Sequence, residues 1–317
     1  MAIVTNTFQT YNAKGIREEL SNVIANISPE ETPFQSNVGS ESVSNAFFEW
    51  QTDSLAATAT TAVISGDDVA TFDATAATTR LGNYTHIRRR TMIVEDRLEF
   101  VDKAGRDSEI AYQLAKRGKE LKRDVEAVLL SNNARVAGNS TTAPETAGLP
   151  AWLTSNTSFG TSGADPTGDG TDARTDGTQR AFSEAMLKSV MQSAWTAGGN
   201  PSILMVGPYN KTVASGFAGI AETRVAGGDA PTTIIGAADV YISDFGNITF
   251  VPNRFQRERD AFLLDPEYAS VCYLRPIQQI ELAKTGDAEK RMVLAEFGLK
   301  VANEAAHGMV ADLTTSA

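Results

Sequence analysis

The side chains of this 317-residue sequence with most capacity for chemistry are His86, His307, Cys272 and a run of spaced aspartates. Catalysis by either histidine would need a nucleophile or a carboxylate held beside the ring, and zinc would need further ligands at fixed spacing. Neither histidine lies in an HExxH run, and Glu304 with His307 makes only one i,i+3 pair, so a surface or hydrogen-bond-satisfied histidine is expected at both. Cys272 is the single cysteine, which excludes an internal disulfide and a cysteine metal cluster; its apolar setting, YASVCYLRP, predicts a small core residue. Asp165, Asp169, Asp172 and Asp176 suggest calcium, but their spacing misses the calcium-loop pattern and no bidentate Glu follows, so a solvated loop is expected. There is no GxSxG elbow for a serine hydrolase. Gly227 and Gly228 lack the Lys-Ser/Thr of a phosphate loop, and no GxGxxG opens a helix after a strand. No catalytic, metal or cofactor residue is assigned, and no cofactor is expected.

Composition narrows the class further. A hydrophobic content of 42% supports a sizeable core divided between two lobes. No run of about 18 apolar residues exists, and the opening MAIVTNTFQT has no basic segment followed by a hydrophobic core, so neither a membrane span nor a secretory signal is expected. A cytoplasmic site of synthesis follows, which removes glycosylation meaning from the Asn-x-Ser/Thr sites. A net charge of −11 argues against a broad nucleic-acid grip.

The elements that would position any site are organised around one stretch, Asp102 to Asn133. Ile110, Leu114, Gly118, Leu121, Val125, Val128 and Leu129 step mostly by three or four residues, predicting a helix of roughly 40 Å started by Asp102 or Asp107 and stopped by Ser131 to Asn133. Before it come an extended N-terminal arm, a short amphipathic helix over Lys14 to Ile27 with Ile16, Leu20, Val23 and Ile27 on one side, and a strand over Val43 to Asp53. Leu55 to Tyr84 is mostly small residues and predicts a long two-stranded arm that turns at SGDD (65–68) and needs another surface to rest on. In the strand over Thr85 to Asp96, Arg88 and Arg90 point one way and Arg89 the other.

After the long helix, Ala137 to Arg180 reads as a surface loop with Leu149, Trp152, Leu153 and Phe159 as its anchors. A helix over Ala181 to Trp195, a buried strand over Ser202 to Val206, a helix from Tyr209 and a loop over Gly216 to Gly236 make an α/β lobe. From Ala237 onward the chain is strands. Val293, Ala295, Phe297, Leu299 and Val301 alternate with mostly polar or small residues, which predicts a long antiparallel sheet with one buried face packed on the spine helix.

Charge is uneven along this order. Eleven basic residues meet seven acids from 86 to 123, net +4, whereas 51 to 85 is net −3, with Asp53, Asp67, Asp68 and Asp73 against Arg80. Adjacent segments of opposite sign suit contact between copies of one chain, although two solvated faces account for the charge equally well. The candidate contact residues are Trp50, Asp53, Asp67, Asp68, Asp73, Arg88, Arg89, Arg90, Lys116, Arg117, Lys119 and Arg123.

This order of parts resembles the HK97-like fold of tailed-bacteriophage major capsid proteins. VYISDFGNITFVPNRF (240–255), LLDPEYASVCYLRP (263–276), LAKTGDAEKRMVLAEFGLKVANEAAHG (282–308), TDGTQRAFSEAMLKSVMQSAWTAGGNPSILMVGP (175–208) and NISPEETPF (26–34) are similar to one family of phage major head proteins. The resemblance implies an α+β subunit in five parts. These are an N-terminal arm and short helix (1–45), an E-loop hairpin (46–96), a P domain with spine helix 102–133 and long surface loop (97–180), an A domain (181–275), and C-terminal strands returning to the P domain (276–317). It implies a building block and not an enzyme, self-assembling into pentamers and hexamers around double-stranded DNA, with the E-loop of one copy lying over its neighbour. Scaffolding protein, portal and decoration proteins are the further partners it implies, with the virion as location, the host cytoplasm as place of assembly, and no membrane.

Some members of the fold weld neighbours by an isopeptide bond from an E-loop lysine. Residues 51–102 contain no lysine, so no such link is expected. The sequence opens at the arm without a long helical segment, so a separate scaffold is expected in place of a cleaved prodomain. The rival readings are an encapsulin-like compartment enclosing an enzyme, and an α/β hydrolase that would have to use His307 or Cys272.

Overall fold

A computed structural model describes residues 30–68, 72–103, 105–217 and 239–316. The predicted helix over Lys14 to Ile27 and most of the Gly216 to Gly236 loop lie outside these residues. In chain order the elements are α1 (Pro33–Asn37), β1 (Gly39–Ser42), β2 (Phe47–Thr52), β3 (Thr79–Tyr84), β4 (His86–Glu95), α2 (Asp96–Phe100), α3 (Glu109–Leu129), β5 (Thr157–Ser158), α4 (Glu184–Thr196), β6 (Ile203–Val206), α5 (Pro208–Ala214), β7 (Val240–Ser243), β8 (Gly246–Pro252), β9 (Ala261–Leu264), β10 (Ala269–Glu281), β11 (Ala288–Val301) and β12 (Gly308–Val310).

The spine helix is α3, and it is shorter than the expected 102–133. Its 21 residues span about 32 Å at 1.5 Å each. Neither Asp102 nor Asp107 caps it. Ser108 does, its Oγ accepting from the Ala111 N–H at 3.1 Å. Upstream α2 is a separate turn, and between the two helices stands Gly105, whose φ of +80° is left-handed backbone that glycine adopts without a Cβ clash. Leu121, Val125 and Leu129 are fully buried, whereas Ile110, Leu114 and Gly118 are only half-covered.

The buried seam of α3 lies on a sheet of order β1-β10-β11-β4, in which β1 runs parallel to β10 and the other pairs are antiparallel. A second sheet, β5-β12-β9-β6-β8-β7, carries α4 and its own core of Leu187, Val190, Leu204, Leu263 and Val310. The C-terminal strands are therefore not one long antiparallel sheet. They divide between the two lobes, with β10 and β11 serving the first and β7, β8, β9 and β12 the second.

The expectation of one buried face on β11 also fails at its centre. Every residue from Val293 to Leu299 is buried, and at Gly298 an antiparallel ribbon of β2 and β3 covers the side opposite the core. Gly298 shows how close the ribbon lies: a Cβ there would stand 2.6 Å from the Phe48 ring and 3.1 Å from the Tyr84 carbonyl oxygen.

The stretch 137–180 is not a solvated insertion. Thr146 to Leu153 run through the first core, with Trp152 1% exposed, whereas Phe159 is 38% exposed and is covered on one side by the Arg174 guanidinium, 5.2 Å from the ring centroid.

The arm is paired only at its base. Cross-strand partners run from Phe47 with Tyr84 to Thr52 with Thr79, and the described residues between 53 and 78 form no strand. Their Ala and Thr side chains provide too little cross-strand contact to hold an isolated hairpin in water. The turn stands where SGDD predicts it, with Gly66 at φ +85° and the Asp67 N–H donating to the Ile64 carbonyl at 3.0 Å.

Candidate intersubunit surface

The arm is anchored to the body by Asn83 on β3. Its Oδ1 accepts from the N–H groups of Ala147 and Tyr84, both at 2.9 Å, and its Nδ2 donates to the Leu299 carbonyl at 2.7 Å and to Thr146 Oγ1 at 2.9 Å. A fully buried amide with all these partners fixes where the ribbon leaves the core. Trp50, on β2, packs within its own chain, 5.2 Å from the Trp152 ring and 5.9 Å from Phe48. Beyond it every described residue from Asp53 to Thr78 is exposed. Leu55 is 99% exposed, Phe72 88%, Ile64 82% and Val63 77%, and Asp53, Asp67, Asp68 and Asp73 are exposed beside them.

The basic segment is less free than its composition suggests. Arg88 and Arg90 do share one face of β4, as alternation predicts, and both turn onto α3, where Asp124 accepts from Arg90 Nε at 2.7 Å and from Arg88 Nε at 3.1 Å. Burial works to raise the Asp124 pKa, but the two guanidinium groups outweigh it and leave the carboxyl below its usual value. Arg117 pairs with Glu120 at 2.6 Å and Lys119 with Glu30 at 2.8 Å, while Arg123 lies 5.7 Å over the Phe255 ring. Arg89 stands on the other face of β4, exposed beside Ile87 and Ile93, and Lys116 is exposed on α3.

Two features of the body have no local sequence signal. The first is Glu126, 0% exposed, which accepts from the Phe34 N–H at 2.6 Å, the Gln35 N–H at 3.1 Å, Gln35 Nε2 at 3.0 Å and Asn253 Nδ2 at 2.8 Å. It joins the N-terminal segment, the spine helix and the connection after β8 without a cation of its own. Desolvation raises its pKa above the ordinary carboxylate value despite the four donors.

The second is a charged knot in the other lobe. Asp176 receives Arg257 at 2.6 Å and Arg259 at 3.2 Å, and Asp312, fully buried, receives Arg259 at 2.6 Å and the Gly160 and Gly177 N–H groups at 3.0 and 2.8 Å. Asp165 meets Arg174 at 2.7 Å, and Asp169 and Asp172 bind Thr167. Asp165, Asp169 and Asp172 thus serve the loop itself, and Asp176 ties it to Arg257 and Arg259. Among the described residues no group of three His, Cys, Asp or Glu side chains is placed to hold a metal ion, and no helix is long and apolar enough to cross a membrane.

His307 and Cys272 are core residues. The His307 Nδ1 accepts from the Asp265 N–H at 3.3 Å, and burial pushes its pKa down to about 4. Burial likewise pushes the Cys272 thiol up to about 11, and the side chain is 0% exposed. A neutral, enclosed imidazole and a protonated, enclosed thiol are poor hydrolytic groups.

The model of the SU10 major capsid protein family matches residues 3–314. The major capsid protein of Escherichia phage Phieco32 is 30% identical over 344 residues, covering 96% of each chain. Among solved structures, the cyanophage A-1(L) capsid superposes with a TM-score of 0.63 over 98% of this chain and 100% of that one at 12% identity. Gordonia phage Cozz gives 0.61 over 98% and 96%, also at 12% identity. These structural likenesses establish the HK97-like α+β fold. With the family model spanning nearly every residue and a phage major capsid protein similar along the whole chain, the chain belongs to the SU10 major capsid protein family and is a structural shell subunit of a bacteriophage head.

Proposed function

We propose that copies of this subunit close into an icosahedral shell of pentamers and hexamers around double-stranded DNA, each copy laying its arm on the spine helix and P domain of the next. The observation that supports this most is the arm. Leu55, Val63, Ile64 and Phe72 stand in solvent on a segment with no core of its own, and burying such side chains is worth about 1.5–3 kcal/mol each. A monomer gains nothing from holding them out; a neighbouring copy gains the whole amount.

The parts then take their roles in the shell: residues 1–45 as N-terminal arm, 46–96 as E-loop, 97–180 as P domain, 181–275 as A domain around the capsomer axis, and 276–317 as strands returning to the P domain. The exposed acids Asp53, Asp67, Asp68 and Asp73 set the arm against cations of the neighbour, of which Arg89 and Lys116 are the exposed candidates. The net charge of −11 keeps the lining from clinging to packaged DNA. Scaffolding protein and portal guide assembly in the host cytoplasm, and decoration proteins can follow. The role is structural and uses no cofactor.

Sedimentation velocity followed at 260 and 280 nm tests this. Uniform megadalton particles with a nucleic-acid absorbance ratio are expected of shells from infected cells. Asp67→Lys with Asp68→Lys should cut the assembled fraction at least tenfold, and adding Arg89→Glu or Lys116→Glu should restore part of it. Normal assembly of the doubly reversed arm would refute the arm contact, and failure of the wild-type chain to exceed a few subunits with its scaffold would refute the shell.

A further inference from the structure

One member of the charged knot in the second lobe is poorly served by its neighbours. Asp260, on the connection from β8 to β9, is 0% exposed. Arg257 Nη1 stands 3.0 Å from its Oδ2, but the two are out of line for a hydrogen bond, and neither carboxylate oxygen accepts one among the described residues. Asp312 differs. Burial works to raise its pKa, but the Gly160 and Gly177 N–H groups and Arg259 outweigh it and hold the carboxyl below its usual value.

The charges around Asp260 come from three segments. Arg257 and Arg259 share its connection, Arg174 and Asp176 act on it from the surface loop, and Asp312 near the C-terminus acts on the same two arginines, Arg257 and Arg259. Arg180 and Asp165 stand a step further out, against Asp312 and Arg174. Burial pushes the Asp260 carboxyl up to about 6, against the pull of Arg257 and Arg174.

The loop edge that faces this carboxyl is held by polar contacts. Residues 160–178 carry no aromatic ring and no aliphatic side chain larger than those of Ala and Pro. Asp176 accepts from Arg257 Nη2 at 2.6 Å, and the Gly177 N–H donates to Asp312 at 2.8 Å. Arg257 therefore serves two carboxylates, one on the loop and one buried beside it.

We propose that Asp260 is a proton-operated latch, clamping the Asp176–Gly177 edge of the surface loop onto the 257–260 turn while its carboxyl is protonated and loosening that edge on ionisation. A protonated Asp260 leaves Arg257 to Asp176. An ionised one competes for Arg257, is repelled by Asp176, and gains water only when the edge lifts. The closed arrangement thus holds the proton more tightly than the open one, where the carboxyl returns towards 3.8. The grip is greatest below pH 3.8 and is lost as pH rises through about 6.

Hydrogen exchange of the full chain, read in a peptide covering residues 175–181 and corrected for the intrinsic effect of pH, tests the latch. With the carboxyl at 3.8 when open and about 6 when closed, the opening equilibrium should rise about tenfold from pH 5 to pH 8. Asp260→Asn, which cannot ionise, should exchange at or below the wild-type pH 5 level at both pH values. Asp176→Asn should exchange faster than wild type at both, because it removes the acceptor that holds the edge. A pH-flat wild type would overturn the latch, and so would a rise that survives in Asp260→Asn. Wild-type exchange in Asp176→Asn would equally overturn it, by showing that the edge is held elsewhere.

Discussion

Glu126→Ala is expected to free residues 30–38 from the spine helix, and the size of the effect can be worked from the four donors that meet its carboxylate. The Phe34 N–H and Asn253 Nδ2 lie in fully buried residues and cannot turn to water when the acceptor is removed; the two Gln35 donors are part-exposed and can. An abandoned buried donor costs about 1–3 kcal/mol, so two cost about 2–6 kcal/mol. Part of this is returned, because the carboxylate was itself buried without a cation and its own desolvation is relieved. A net loss of about 2–4 kcal/mol follows, or about 30- to 1,000-fold in the local opening equilibrium. Hydrogen exchange of a peptide covering residues 30–38 reads that equilibrium directly.

Glu126→Gln should fall between, since it keeps one accepting oxygen and turns the other towards its neighbours as a donor. It also isolates the proton. Because the carboxyl's folded pKa is raised above 4.5, the native state holds the proton more tightly than the unfolded chain. The stability it contributes is therefore greatest below pH 4.5 and falls as pH rises through the raised value. Wild type should gain on Glu126→Gln as the medium is acidified through that window. Exchange of the 30–38 peptide within threefold of wild type in Glu126→Ala, or a pH-flat difference against Glu126→Gln, would refute the clamp.

Asn83→Ala should cost about 3 kcal/mol in urea unfolding, because it strands the Ala147 N–H and the Leu299 carbonyl in the core; a loss below 1 kcal/mol would show that the ribbon is held elsewhere. His307, with its pKa pushed down from 6.5 to about 4, contributes stability that is complete above pH 6.5 and lost as pH falls towards 4, about 3 kcal/mol in all. His307→Gln should flatten that part of the pH profile, and an unchanged profile would count against an enclosed neutral ring. Gly298→Ala should lift the ribbon from β11 at a cost of about 1–3 kcal/mol and change the emission of the Trp50–Trp152 pair; wild-type fluorescence and stability would contradict the close approach. Particles boiled in detergent should run as one band near 33.8 kDa, since residues 51–102 offer no lysine for a cross-link, and a ladder of multimers would show another linkage.

What could be read from the sequence was what depends on near neighbours. The Leu121–Val125–Leu129 seam, the buried strand before α5 and the turn at Gly66 follow from spacing and from single-residue conformational preference, and the structure contains them. The ends of the spine helix were less legible because Asp102, Asp107 and Ser108 are all good caps, and only the separate turn of α2 decides between them. Glu296 and Gly298 alternate as a solvent face should, yet both are buried, Gly298 beneath the Phe48 ring and Tyr84 carbonyl of a ribbon that arrives from residues 47–84 and Glu296 beside Thr85 and Arg275. Thr and Val between 55 and 78 favour strand, but propensity cannot supply a missing cross-strand partner. Glu126 and Asn83 carry no signal at all. Each looks like one more polar residue until residues 34, 253, 147 and 299 are brought beside them.

The same non-locality governs the charges. The window 86–123 counts as net +4, but the fold spends much of that excess inside the subunit, pairing Arg88 and Arg90 with Asp124, just beyond the window, and Lys119 with Glu30, 89 residues away. Arg106 meets Glu109 and Arg117 meets Glu120 within the helix region itself. Among the described residues, Arg89, Arg97, Lys116 and Lys122 remain exposed without an ion pair, and in the proposed shell they are the cations left for the arm acids Asp53, Asp67, Asp68 and Asp73. Exposed pairs of this kind are worth about 0–1 kcal/mol each and weaken with salt. Full burial of Leu55, Val63, Ile64 and Phe72 is worth more by a factor of several. In the proposed shell the apolar side chains of the arm therefore set the strength of each contact and its acids set the register. Modest contacts suffice because a closed shell repeats each one across every copy.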